Sequence, residues 1–293
     1  MSEILQALLS PTPRYPERIV CLTEETTETL YRIGAGDRVV GISGFTVRPK
    51  EARKKPRVSS FLDANYERIL ELKPDLVLGF SDLQAELARE LALRGVPVYL
   101  FNQRSVAEIL QVVRIVGALV GQSERSEALA SELEANLEAH AQRAAALPRK
   151  PRVFFEEWNE PLICGIRWCS ELIEIVGGED ICAESRLQQA AKGRVYEPME
   201  IARRNPEVVI ASWCGRKASR EKIRARPGWS SMQAVVDDQL YEVKSSYILQ
   251  PGPAALTDGV DQLAQIVGAV ARGERLPSAR EGDLRQARLL ESS

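Results

Sequence analysis

Histidine is almost missing from this sequence, with only His140 in 293 residues. A histidine-rich zinc centre is excluded. A Ser-His-Asp triad would have to rest on a residue in a charged helical stretch that reads as solvated surface. Aromatic residues are also scarce, at 6%, so each one on a loop carries weight. There is no cationic excess: 39 Lys and Arg face 41 Asp and Glu, for a formal charge of −2. That balance excludes an ordinary electrostatic nucleic-acid binder. No stretch reaches the ~18–20 uninterrupted apolar residues of a membrane span. The best run, residues 109–120, contains Gln111 and Arg114 and reads as a core helix, so no membrane insertion is expected. The opening MSEILQALLSPTP carries Glu3 where a signal peptide has basic residues, which sets the expectation of a cytoplasmic protein. Five cysteines, an odd number, argue against a disulfide scaffold there.

What is present is enough apolar residue, 44%, for two lobes of roughly 100–150 residues, each with its own core. Internal similarity supports two lobes. Residues 69–78 (ILELKPDLVL) resemble residues 201–210 (IARRNPEVVI), and residues 28–37 (ETLYRIGAGD) resemble residues 171–180 (ELIEIVGGED). Each pair reads as a helix closed by proline or glycine, the first leading into a buried strand. The alternation of helices with near-continuous apolar strands such as LVLGF and VVIAS predicts α/β lobes with parallel sheets covered on both faces. The expected organisation is an extension at 1–17, an N-terminal lobe at 18–123, an interlobe helix at 124–148 and a C-terminal lobe at 149–293. Up to Leu147 the interlobe segment is rich in Ala, Glu and Leu and free of Gly and Pro, and Pro148 closes it. It predicts a single helix on the order of 35 Å long, a rigid strut beside a cleft that opens little.

In open parallel sheets ligands bind beyond the carboxyl ends of the strands. That rule selects Glu24 and Glu25, Phe45, Phe80, the run Glu156-Glu157-Trp158, Trp213 and Cys214, and Tyr247, with Arg167 and Trp168 near them. The carboxylates read either as ligand groups or as acids at helix starts favoured by the macrodipole. Thr26 and Thr27 read as helix caps. Aromatic residues on such loops suit a large, flat or partly apolar ligand. Gly34-Ala35-Gly36-Asp37 ends a helix instead of opening one, so it is not a dinucleotide loop.

From residue 18 to about residue 271 the chain resembles the cobalamin-binding solute receptors of bacterial ABC importers, a group that includes haem and siderophore receptors. The resemblance rests on ERI…LKPDLV, on RVFFEEW…GGED and on the long interlobe helix. It implies two Rossmann-like lobes joined by one helix, the class III solute-binding-protein fold. It also implies an aromatic wall at Phe45, Phe61, Phe80 and Tyr247. Leu162 stands where the receptor has a phenylalanine. The family docks on its permease through one glutamate per lobe. Glu67 matches the first; at the second the matching position is Met199, with Glu200 beside it.

The expectation is therefore a monomeric, non-enzymatic binding protein holding a corrinoid such as cobalamin, or another metal-bearing compound, in its interlobe cleft. An ABC permease is a possible partner. Two alternatives stand beside it. Cys164, Cys169 and Cys214 could ligate a metal or an iron–sulfur cluster, or Glu156, Glu157 or Cys164 could serve an enzyme as base or nucleophile.

Overall fold

The computed structural model describes residues 15–276 and a short strand, Arg288–Leu289. Most of the extension expected at 1–17 lies outside the described residues. The chain forms two compact units. One contains residues up to Gln103 together with Gln111–Ala130, and the other contains Arg104–Leu110 and the residues from Ser131 onward.

Unit 1 is a five-stranded sheet in the order β3-β2-β1-β4-β5, parallel throughout. Its strands are β1 (Ile19–Cys21), β2 (Val39–Ser43), β3 (Arg57–Ser59), β4 (Leu76–Phe80) and β5 (Val98–Phe101). Helices α1 (Glu24–Arg32), α2 (Tyr66–Glu71) and α3 (Ala85–Leu93) alternate with them, and α4 (Val106–Leu119) follows. β1 and β4 are buried along their whole length, as their unbroken apolar sequences require of central parallel strands. Thr26 and Thr27 are not caps. Both lie inside α1, fully buried, with their hydroxyls donating to the Thr23 carbonyl.

The long helix is present as α5, Ser123–Ala145. The division between the units falls inside it, after Ala130, so it belongs partly to each unit instead of standing apart from both. His140 is not solvated. It is buried, and its Nε2 lies 2.7 Å from Asp261 Oδ1.

Unit 2 is built on a six-stranded mixed sheet. The order is β11-β10-β9-β6-β7, and β8 also pairs with β6. These are β6 (Arg152–Asn159), β7 (Leu162–Cys164), β8 (Glu179–Asp180), β9 (Val208–Ala211), β10 (Leu240–Glu242) and β11 (Arg288–Leu289). β7 and β11 run antiparallel to their neighbours, which departs from the expected purely parallel sheet. The helices include α6 (Arg167–Ile175), α7 (Pro198–Arg204), α8 (Arg220–Arg224), α9 (Gln233–Val236), α10 (Ser245–Ile248) and α11 (Val260–Ala271).

The sequence repeat has the same hydrogen-bond pattern in both units. α2 and α7 are each followed by a residue of left-handed conformation, Lys73 at φ 46° and Asn205 at φ 45°, one position before Pro74 and Pro206. The acid after each proline then holds the start of the first strand. Asp75 Oδ1 accepts from Arg18 N–H at 2.9 Å, and Glu207 Oε2 accepts from Arg152 N–H at 2.9 Å. The two arginine side chains return the contact to the helix ends. Arg18 donates to the carbonyls of Leu72 and Lys73, and Arg152 to those of Arg204 and Asn205. These bonds satisfy carbonyls that a helix end would otherwise leave without partners.

Candidate functional site

The carboxyl ends of the unit 1 strands carry Glu24, Glu25, Phe45, Phe61 and Phe80. β1 runs out into Thr23, whose hydroxyl donates to Glu25 Oε1 at 2.6 Å, while Glu25 Oε2 is buried without a partner. Burial raises Glu24 to about 7 and Glu25 to about 8; the neighbouring Glu24 charge raises Glu25 further, against the lowering bond from Thr23. Beyond β2, Phe45 N–H donates to Ser43 Oγ, and the Phe45 ring is 52% exposed. Gln84 joins the next two loops. Its Nε2 donates to the Phe61 carbonyl at 2.8 Å, and its Oε1 accepts from Phe80 N–H at 3.0 Å. Phe61 is half-buried and Phe80 is buried. Of these loop aromatics, Phe45 is therefore the one freely offered. Gln84 escaped sequence reasoning, since nothing marks a glutamine four residues after Phe80 as the clamp of two loops.

In unit 2 the acid run at the end of β6 divides into roles that its sequence does not separate. Glu156 is fully buried and grips Arg226 through both oxygens, each at 2.6 Å, while Trp213 Nε1 donates to it at 2.8 Å. This saturated pair corrects the reading of Glu156 and Trp213 as ligand groups, since Trp213 is itself part of the core. Glu157 pairs with the buried guanidinium of Arg194 at 2.5 and 3.2 Å. Trp158 is partly exposed, with its indole N–H on the Glu160 carbonyl and the Arg216 guanidinium 5.2 Å from its ring centre. Arg167 donates to Glu171 at 2.7 Å and keeps part of its side chain in solvent.

Trp168 also departs from expectation. It is buried, and its indole N–H donates to the Ile248 carbonyl at 2.8 Å. Tyr247, on α10, is buried as well.

The cysteine set does not form a metal centre. Among the described residues no group of three or more His, Cys, Asp or Glu side chains could hold a metal ion, and all five cysteines are described. Cys164 and Cys169 are buried, whereas Cys214 is exposed. Burial, with the Glu157 charge adding, raises the Cys169 thiol well above its usual range, which opposes the thiolate that a soft metal needs. The iron–sulfur and metal readings of Cys164, Cys169 and Cys214 are accordingly withdrawn. Glu156, tied to Arg226, is no free base.

Both glutamates expected to dock on a permease lie in the first turn of corresponding helices. Glu67 is exposed on α2, whose N-cap Asn65 accepts from Arg68 N–H at 2.9 Å. Glu200 lies on α7 and pairs with Arg204 at 2.6 Å.

Residues 19–247 match the family described as Periplasmic binding protein. The chain is 27% identical over 262 residues to the uncharacterized ABC transporter substrate-binding lipoprotein YvrC of Bacillus subtilis, covering 86% of this chain and 80% of that one. It is 28% identical over 212 residues to the vitamin B12-binding protein of Yersinia pestis, covering 71% and 74%. In fold it is similar to the periplasmic vitamin B12 binding protein BtuF of Vibrio cholerae, with a TM-score of 0.70 at 24% identity over 88% of this chain and 99% of that one. It is also similar to a periplasmic heme binding protein of Pseudomonas aeruginosa, with a TM-score of 0.76 at 18% identity over 86% and 93%. These matches overturn the cytoplasmic expectation, because the family and its lipoprotein and periplasmic members work outside the cytoplasmic membrane. The acidic start on which that expectation rested carries less information than a match across most of the chain. The chain belongs to the periplasmic binding protein family and is a receptor for a small-molecule solute, not an enzyme.

Proposed function

We propose that this chain is the solute receptor of an ABC importer and that its ligand is a corrinoid of the cobalamin type. The observation that carries the reading is Phe45, a large apolar ring held out at 52% exposure beyond the carboxyl end of β2. In an aromatic-poor chain, an apolar ring kept in water suits a face that a flat ligand covers. Phe61 stands on the neighbouring loop, held by Gln84. The relatives named for vitamin B12 favour a corrinoid among flat ligands.

Glu24, just beyond the carboxyl end of β1, supplies a polar group for amide parts of such a ligand. Glu67 and Glu200 serve as the contacts to the permease, one on each repeated helix.

Titration of the purified protein with cyanocobalamin, and separately with haemin, tests the reading. The expected result is a cobalamin Kd near or below micromolar, about −8 kcal/mol, with weaker binding of haemin. Tight binding of haemin alone, or of neither compound, overturns it.

A further inference from the structure

Two cysteines that take no part in the ligand reading lie side by side in unit 2. One edge of β6 is occupied by β9, and the other by β8 and then β7. Along that second edge Ile181 N–H donates to the Val153 carbonyl, and Gly165 N–H donates to the Phe155 carbonyl. Cys182 follows the first of these contacts and Cys164 precedes the second, so both flank the same short stretch of β6. Each is 2% exposed, and both pack with Phe154 in one apolar cluster. Of the groups around the Cys182 thiol, the Cys164 side chain acts on it most strongly. The other three cysteines are placed differently. Cys169 Sγ lies 3.8 Å from the Ile248 carbonyl, Cys214 is exposed, and Cys21 belongs to β1 of unit 1.

We infer that Cys164 and Cys182 close to a disulfide when the chain folds in an oxidising compartment, tying the end of β7 to the chain leaving β8 around helix α6. The relatives named as periplasmic proteins and as a lipoprotein work where disulfides persist. The step is thiol–disulfide exchange with a disulfide oxidant, RSSR. One cysteine thiolate attacks RSSR, breaking its S–S bond and releasing one RSH. The second cysteine then attacks the mixed disulfide, forming the Cys164–Cys182 bond and releasing the second RSH. The two cysteine protons end on the two RSH molecules, and RSSR takes the two electrons. The Cys164 contact and burial hold the Cys182 thiol well above its usual range, so the folded dithiol reacts slowly and the bond closes during folding.

The test refolds the reduced, denatured full chain in a mixture of reduced and oxidised glutathione. N-ethylmaleimide then traps the remaining thiols under denaturing conditions, and the peptides are mapped by mass spectrometry. The expected map joins the Cys164 peptide to the Cys182 peptide and leaves Cys21, Cys169 and Cys214 alkylated. The oxidised protein should also melt above the reduced one, a difference that Cys182→Ala abolishes. Five alkylated thiols in the refolded protein, or a link from Cys164 or Cys182 to Cys169, overturn the inference. The wild-type map decides alone if the alanine variant does not fold, and neither result depends on which ligand binds.

Discussion

Arg226→Met tests whether the acid run at the end of β6 is divided as described. In the wild type Glu156 is fully buried, and its two oxygens face the Arg226 guanidinium at 2.6 Å each. Methionine keeps much of the side-chain volume but removes the charge, leaving a buried carboxylate with only the Trp213 indole N–H as a neutral donor. Breaking a buried pair by removing one partner costs about 3–5 kcal/mol. Removing the guanidinium also takes away its stacking over Trp229, where it lies 4.5 Å from the ring centre. For a unit of roughly 150 residues each kcal/mol moves the melting temperature by ~2–4 °C. A fall on the order of 10 °C is therefore expected in a thermal melt followed by circular dichroism. The double variant Glu156→Gln/Arg226→Met should recover part of that loss, because the stranded charge is gone. A single variant that melts within ~1 °C of the wild type refutes the reasoning, as does a double variant no more stable than the single. Glu156→Gln alone adds a second discrimination. A ligand group would lose affinity with little change in stability, whereas a buried partner of Arg226 loses stability first.

Three further outcomes are expected. Glu25→Gln should change how stability depends on pH: with a folded-state value of about 8 against an ordinary 4.5, the native wild type binds more protons than the unfolded chain between those values. Wild-type stability should therefore fall as pH rises from about 4.5 to about 8. Denaturant melts at pH 5 and pH 9 should show a smaller fall for the variant, and an equal fall in both proteins refutes the assignment. Phe45→Ala should weaken cyanocobalamin binding at least tenfold, since covering a phenylalanine ring is worth about 1.5–3 kcal/mol, while the melting temperature of this exposed site stays near wild type; calorimetric titration and a thermal melt together check it. Protein purified without oxygen should carry no stoichiometric iron, zinc or acid-labile sulfide, since among the described residues no three His, Cys, Asp or Glu side chains gather to hold a metal ion, and elemental analysis decides.

Much of the fold is legible because one local device occurs twice. LKPD and RNPE each encode a helix end, a proline that stops it and an acid that holds the first strand of the unit, and both pairs of hydrogen bonds form. The central strands follow from unbroken apolar runs that only a sheet covered on both faces can bury. The elements missed are those too short to show a period. β3 has three residues, β8 two, and α9 and α10 four each; their pairing is set by neighbours distant in sequence. β7 is missed for another reason: it runs antiparallel to β6, and strand-helix alternation gives no sign of that. A π-helical turn at Ala255–Gly259 precedes α11, and hydrophobic spacing does not distinguish the two.

The candidate site is less legible because a side chain's freedom depends on its partner, and the partners lie far away in sequence. Glu156 and Glu157 look alike as neighbours, yet one is matched by Arg226, 70 positions on, and the other by Arg194, 37 positions on. Neither arginine stands in a recognisable motif. The tryptophans mislead for a related reason. Placement near strand ends suggests a binding face, but Trp168 and Trp213 have enough apolar surface to favour burial once their indole N–H finds an acceptor, here the Ile248 carbonyl and Glu156. Phenylalanine has no such polar handle. Phe45 therefore gains nothing from its exposure to water, and that imbalance sets it apart from Trp168 and Trp213. The strand-end rule selects residues at the carboxyl end of each sheet, and their partners then separate those held in the core, such as Glu156 and Trp213, from those kept in water, such as Phe45.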